Sequence, residues 1–153
     1  MHPTAALRVA EDAVGIPGGQ GLVGTRYPGV EGDGEGPLRN VRIKPFQMGA
    51  TSVTNAQFAA FIQATGYTTE AEQFGWSFVF YAQVPDKIDT VQGMAGAQWW
   101  RRVDGATWRD INGPGTAATA WYPDLPVGQA SWNDAGAYAE WVGGRLPTEA
   151  ELE

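Results

Sequence analysis

The stretch WWRRVDGATWRD, residues 99–110, carries the side chains best suited to bind a ligand. Aromatic rings beside cations can stack on nucleic-acid bases. They can equally be the anchors of a peptide or ligand groove, or core rings covered by arginine stems. The formal net charge of −7 opposes a general affinity for nucleic acid and for anionic membranes. The stretch therefore predicts core rings or a groove, and it disfavours nucleic acid as a partner.

Two further patterns have the letters of a ligand site without its context. GQGLVG at 19–24 fits G-x-G-x-x-G, but the TRYPGVEGDG that follows cannot form the helix that would hold a pyrophosphate. We predict a glycine-rich turn there. Glu31, Asp33 and Glu35 alternate with glycine, but the ligand order and closing glutamate of an EF-hand are missing. We predict a solvated acidic loop.

Cysteine is absent, and the only histidine is His2. This stretch therefore lacks thiolate metal ligands, a cysteine nucleophile and disulfides, and a histidine at a terminus is poorly placed for a metal site or a catalytic triad. No apolar run has the length of a membrane span, and residues 1–19 lack the apolar core of a secretory signal. We expect a soluble, cytoplasmic protein that contacts no membrane.

Four capping boxes mark the starts of helices. They pair Thr54 with Gln57, Thr69 with Glu72, Ser131 with Asp134, and Thr148 with Glu151. Phe58, Phe61 and Ile62 share one face of the first helix, predicted at 54–65 and ended by Gly66. Gly75 ends the second helix. The third ends at Gly143-Gly144 and buries Ala135, Tyr138, Ala139 and Val142, with Asn133 and Glu140 facing water.

The remaining sequence predicts short strands and much irregular backbone. Val41 and Ile43 alternate with Arg42 and Lys44, which predicts a half-buried strand. SFVFYAQV, residues 77–84, predicts another. We expect a leader at 1–15, irregular structure packed around rings at 85–125, and one α+β domain over 16–153.

Three segments together resemble the formylglycine-generating enzymes, also called sulfatase-modifying factors. SWNDAGAYAEWVGGRLPTEAELE is similar to the family's S-W-x-D-A-x-A-Y-C-x-W-x-G-x-R-L-P-T-E-A-E-W-E. TNAQFAAFIQATGYTTEAEQFGWSFVF is similar to its [ST]-N-x-x-F-x-x-F followed by T-G-Y-x-T-E-A-E-x-F-G-x-S-F-V-F. QWWRRVDGATWRDINGPG is similar to its W-W-x-x-V-x-G-A-x-W-x-x-P-x-G-P. Order and spacing agree from about residue 16 onward.

The resemblance implies an irregular α+β fold similar to C-type lectin domains, with little regular secondary structure. It implies an oxidase that uses dioxygen to convert the cysteine of a sulfatase Cys-x-Pro-x-Arg motif to formylglycine. The family binds Cu(I) through two cysteines, as soft thiolates favour a soft ion, and it also binds structural calcium. The sulfatase polypeptide is the implied partner.

The resemblance also implies which residues contact the sulfatase peptide. Ala71, Ser77 and Trp99 fall where the family contacts it, although Ala71 can simply pack in its helix, Ser77 can cap backbone, and Trp99 can be a core ring. Trp76 stands where an aspartate often lines the groove, so peptide preference can differ. Two other departures are Gln129 in place of a histidine and Ala139 in place of a cysteine that forms a disulfide in secreted members.

The capping box at 148–151 is followed by only two residues, too few to repay helix nucleation. We therefore expect 16–153 to be the N-terminal half of the family's domain. Both cysteines and the calcium ligands would then lie in the half that is not present here. On this view the fragment alone is inactive. The alternative is a catalytically inactive, lectin-like binding module of the same fold.

Overall fold

The computed structural model describes residues 12–30, 32–88, 93–116 and 122–153. Its first part contains β1 (Ala13–Ile16), β2 (Gly19–Val23), β3 (Arg39–Ile43) and β4 (Phe46–Gly49). β1 pairs with β4 and β2 with β3, both antiparallel. Gly18 makes the turn between β1 and β2 at φ +71°, where a Cβ would lie 2.6 Å from the Ile43 carbonyl oxygen, so only glycine fits.

The predicted strand around Val41 is confirmed as β3, but the expected leader differs from the structure at its end. Residues 13–15 belong to β1 and are paired with β4. Residues 1–11 lie outside the described part of the chain. The short β1 was missed because Ala13, Val14, Gly15 and Ile16 give no alternation of apolar and polar side chains.

Two helices follow where the capping boxes predicted them. α1 (Asn55–Thr65) begins at Thr54, whose backbone N–H donates to the Gln57 amide oxygen at 2.9 Å, and ends at Gly66 in the left-handed conformation. α2 (Glu70–Phe74) begins at Thr69 and ends at Gly75 in the same way. Local hydrogen bonds thus fix both ends of each helix.

A three-stranded antiparallel sheet comes next, in the order β5, β7, β6. Its strands are β5 (Trp76–Phe80), β6 (Gly93–Met94) and β7 (Ala97–Asp104). The strand predicted at 77–84 is β5, which stops at Phe80 because a 3₁₀ helix occupies residues 81–83. The prediction of irregular structure over 85–125 was wrong for β6 and β7, and residues 89–92 and 117–121 lie outside the described part.

The main core is aromatic and joins α1 to α3 (Trp132–Trp141). Phe58 is 1% exposed and its ring centre lies 5.3 Å from that of Trp108 and 6.0 Å from that of Tyr138. Phe61 and Ile62 complete the buried cluster. On α3, Tyr138 and Ala139 are buried as predicted, Ala135 and Val142 are half-buried, and Asn133 and Glu140 are exposed.

The last element is α4 (Glu149–Leu152), which starts at the predicted capping box. It lies against β2 and β3: Gly24 N–H donates to the Glu153 carboxylate at 2.9 Å, and Arg39 pairs with Glu149 at 3.3 Å. Short helices and small sheets therefore share the fold, which confirms the α+β class. No helix in the described ranges is both long and apolar enough to cross a bilayer.

Candidate functional site

The sheet of β5 and β7 carries three of the four predicted site residues, on two different faces. Ser77 is paired with Val103, and Trp76 with Asp104. Opposed residues of an antiparallel pair project to the same face, and successive residues alternate. Ser77 and Trp99 therefore share the face of the buried Val103, whereas Trp76 lies on the other face.

Ser77 is held by a residue from a distant part of the chain, Gln129. The Ser77 hydroxyl donates a short hydrogen bond to the Gln129 side-chain oxygen. The Gln129 amide nitrogen donates to the Phe78 carbonyl at 3.0 Å and to the Ile111 carbonyl at 2.9 Å. Gln129 thereby ties β5 to the loop after β7 and to the segment before α3.

These contacts fix the direction of each hydrogen bond. The carbonyl oxygens of Phe78 and Ile111 can only accept, so the NH₂ group of Gln129 must face them. Its oxygen must then face Ser77, whose single proton is used in this bond. The Ser77 oxygen keeps its lone pairs for an N–H donor of a ligand.

Gln129 also has an uncommon backbone conformation, with φ +55°. The left-handed region costs a non-glycine residue about 1 kcal/mol or more. The sequence identified Gln129 only as a departure from the family pattern, and its contacts with β5 were missed. A lone glutamine in LPVGQASW carries no signal for a partner more than fifty residues away.

The opposite face of the sheet is rich in aromatic rings. The Trp76 ring centre lies 5.1 Å from that of Phe78, and the Phe80 centre lies 6.0 Å from that of Trp100. The Arg102 guanidinium stands 4.7 Å from the Trp76 ring centre and bonds Asp104 at 3.2 Å. At position 76 this face therefore presents an indole covered by a cation, whereas the aspartate common at this position in the family would present a carboxylate.

The tryptophans of the WWRRVDGATWRD stretch have different environments. Trp108 is 3% exposed and is a core ring, with the Arg109 guanidinium 4.6 Å from its centre. Trp99 is 51% exposed and Trp100 is 41% exposed. Trp108 is therefore a core ring, whereas Trp99 and Trp100 are exposed enough to line a groove.

Ala71, the fourth predicted residue, is buried in α2 directly before β5. The start of α2 is fixed by Asp134 of α3, which is fully buried and accepts from Glu70 N–H at 3.1 Å and from the Tyr67 hydroxyl at 3.0 Å. Burial, and then the bond to Asp134, raise the pKa of Tyr67. Ala71 thus belongs to the support of β5, and a role in binding stays a prediction.

The other two sequence patterns are structural where they are described. The glycine-rich turn predicted at 19–24 was wrong, because residues 19–23 form β2 and pair with β3. No helix occurs between β2 and β3 in the described positions, which exclude Glu31. The Glu35 carboxylate accepts from the backbone N–H groups of Gly29 and Val30. No cluster of three His, Cys, Asp or Glu side chains suited to a metal occurs among the residues that the structure describes.

Comparison of the sequence with known proteins identifies its family. The family model of the sulfatase-modifying factor enzyme 1-like domain matches residues 2–153. The chain is 49% identical over 147 residues to the formylglycine-generating enzyme of Thermomonospora curvata, covering 95% of this chain and 48% of that protein. It is 48% identical over 154 residues to that of Streptomyces coelicolor, covering 99% of this chain and 48% of that protein.

A protein named as inactive is almost as similar. The chain is 46% identical over 154 residues to the inactive C-alpha-formylglycine-generating enzyme 2 of Mus musculus, covering 99% of this chain and 49% of that protein. The chain thus spans about half the length of these relatives. On the strength of the family match over residues 2–153, the chain belongs to the family of sulfatase-modifying factor enzyme 1-like domains.

Proposed function

We propose that the protein containing this chain uses dioxygen to convert the cysteine of a sulfatase Cys-x-Pro-x-Arg motif to formylglycine. Within it, this chain would supply the scaffold and one wall of the peptide groove, in a lectin-like fold. The observation that carries the proposal is the 48–49% identity to two proteins named formylglycine-generating enzyme, over 95% and 99% of this chain.

Ser77 and Trp99 would each offer a separate contact to such a peptide, because Val79 lies between them and is buried under Val84 and Ile88. Trp99 lies four residues along β7 from the position opposite Ser77, about 13 Å away at ordinary strand spacing. An exposed indole can pack on a proline ring or an arginine guanidinium, and Ser77 can accept from a peptide N–H. The chain's net charge of −7 also attracts a basic peptide.

Trp76 and Ala71 have different parts in this proposal. The Trp76 ring, covered by Arg102, replaces a carboxylate and would disfavour basic side chains on that face of the sheet. Ala71 would act by keeping α2 close against β5, because a larger side chain at this buried position would displace the strand.

The residues of this chain do not fit the cofactors that the family implies. Cu(I) favours thiolate ligands, and the sequence contains no cysteine. No acidic cluster suited to calcium occurs in the described ranges. Cu(I) would have to be held by residues outside these 153, and calcium by residues outside the described ranges. The lack of cysteine also suits the cytoplasm, which we propose as the compartment.

The test uses the complete product of the reading frame that carries this chain. It is incubated with a Cys-x-Pro-x-Arg peptide, copper and oxygen, and aldehyde is trapped with a hydrazine. A peptide with serine in place of the cysteine is the matched control. Aldehyde from the cysteine peptide alone is the expected result, and its absence with a folded, metal-loaded protein would overturn the oxidase function.

The 153 residues alone give a second control. They should form no aldehyde, because they contain no cysteine to bind Cu(I). Aldehyde from this fragment would show that the chemistry we propose is wrong.

A catalytically inactive binding module is the second candidate. It is favoured by the 46% identity to a mouse protein named inactive, a value close to the 48–49% identity to the relatives named formylglycine-generating enzyme. This candidate predicts that the complete product binds the peptide without forming aldehyde, and that its reading frame encodes no pair of cysteines.

A further inference from the structure

We propose that Gln129 is a positioning residue that holds the Ser77 hydroxyl as a hydrogen-bond acceptor for the substrate peptide. This inference rests on the proposed function, because it takes Ser77 as a peptide contact. It adds a residue that lies fifty-two positions away from Ser77 and touches it through one hydrogen bond.

The surroundings of Ser77 give its hydroxyl a single direction. Val103, its partner on β7, is fully buried, and Val79 on the same face is 1% exposed. Neither side chain can accept a proton. Because the Gln129 oxygen takes the hydroxyl proton, the Ser77 lone pairs rather than its proton are available to a peptide.

The Gln129 side chain is in turn prevented from rotating. Both protons of its NH₂ group are used, by the carbonyls of Phe78 and Ile111. An amide flip would place its oxygen against both carbonyls and leave the Ser77 hydroxyl facing a donor. The left-handed backbone at φ +55° is maintained although it costs free energy, as expected where side-chain contacts determine the conformation.

The substitution Gln129→His turns this arrangement into a pH-dependent one. A neutral imidazole has one N–H for a carbonyl and one lone pair for Ser77, whereas an imidazolium has only donors. Protonation below the ordinary histidine pKa of about 6.5 would therefore reverse the bond and use a Ser77 lone pair. The amide of the parent protein does not titrate, so the parent should show no such effect.

The experiment measures peptide affinity of the complete protein between about pH 5.5 and pH 8. The probe is a fluorescently labelled sulfatase peptide with serine in place of the cysteine, which prevents turnover. We expect the Kd of Gln129→His to rise about three- to tenfold below about pH 6.5, which corresponds to the loss of one hydrogen bond. The Gln129→His/Ser77→Ala double variant should lose this pH dependence.

The matched control is Gln47→His, because Gln47 is exposed on β4 in a different sheet. Its Kd should follow the parent at every pH. A pH dependence of Gln129→His that persists without Ser77, or a flat profile of Gln129→His, would overturn the positioning role.

Failure of the proposed function has a different signature. If the parent protein does not bind the peptide at any pH, the proposed function fails and this inference fails with it. If the parent binds and Ser77→Ala binds equally well, only the present inference is overturned. If Gln129→His does not fold, the peptide affinities of Ser77→Ala, Gln129→Ala and the double variant are compared in a double-mutant cycle. Additive losses in affinity would contradict action of Gln129 through Ser77.

Discussion

The Tyr67 hydroxyl lies 3.0 Å from Oδ1 of Asp134, joining the loop before α2 to the first turn of α3. Asp134 is fully buried and also accepts from Glu70 N–H at 3.1 Å and Ser131 N–H at 2.8 Å. One carboxylate therefore fixes the starts of two helices. Since α2 leads through Gly75 into β5, the position of Ser77 depends on this carboxylate.

Removal of this carboxylate should be costly. Asp134→Ala leaves three part-buried donors without this acceptor, and we expect a loss of about 3 kcal/mol in the free energy of unfolding. Chemical denaturation measures it. Glu140→Ala, on an exposed position of the same helix, should change the free energy by less than about 0.5 kcal/mol. Equal effects of the two substitutions would contradict the role given to Asp134.

Tyr67 should make stability sensitive to alkali. Burial and Asp134 raise the pKa of Tyr67 above its ordinary 10.0, so the folded state favours the neutral phenol. The resulting stabilisation is complete below pH 10 and is lost as pH rises through the higher folded-state pKa. The stability advantage of the parent over Tyr67→Phe should therefore shrink above pH 10. Tyr27→Phe, at a position 86% exposed, is the control and should show no such change.

Tyr138 should respond in the opposite direction to the same substitution. Its hydroxyl is buried and has no hydrogen-bond partner among the described residues, and burial raises its pKa. Tyr138→Phe removes an unsatisfied polar atom and should stabilise the fold by about 1 kcal/mol, whereas Tyr67→Phe should destabilise it by a similar amount. A loss of stability on Tyr138→Phe would contradict the expectation that its hydroxyl is unsatisfied.

Glu151 should resist protonation in acid. Arg145 donates to both of its carboxylate oxygens at 2.7 Å and Thr148 N–H donates at 2.9 Å, which lowers the pKa of Glu151 from 4.5 to about 2. Its stabilising effect is present above pH 4.5 and is lost as pH falls through about 2. The difference in free energy of unfolding between the parent and Glu151→Gln should therefore be constant above pH 4.5 and shrink as the pH falls towards about 2. An NMR titration midpoint near 4.5 would contradict it.

The helices could be predicted from the sequence because their signals are local. The capping boxes at Thr54, Thr69, Ser131 and Thr148 and the glycines after α1 and α2 determine helix ends within a few residues. The strand β7 could not, because the adjacent Trp99 and Trp100 place one ring on each face and remove the alternation that marks a strand.

The contacts that organise the candidate site could not be predicted, because they are tertiary. Asp134 was expected only to cap its own helix, and its bonds to Tyr67 and Glu70 depend on how α2 packs on α3. The hydrogen bond between Ser77 and Gln129 depends on the left-handed backbone conformation of Gln129, which the sequence gives no reason to expect. The resemblance identified Ser77 but not the residue that orients it.

The exposed indole of Trp99 provides a direct test of the groove. Trp99→Ala should lower the free energy of unfolding by about 2 kcal/mol, because half of the side chain is buried; binding is therefore compared on protein shown to be folded. The substitution should weaken binding of the serine-substituted sulfatase peptide to the complete protein roughly tenfold or more, the usual loss for an aromatic anchor. Trp132→Ala is the matched control, since Trp132 is 78% exposed at the start of α3. If both tryptophan variants bind the peptide as tightly as the parent, the face shared by Ser77 and Trp99 is not the peptide-binding surface. The aromatic face around Trp76 and Trp100 would then be tested in the same way.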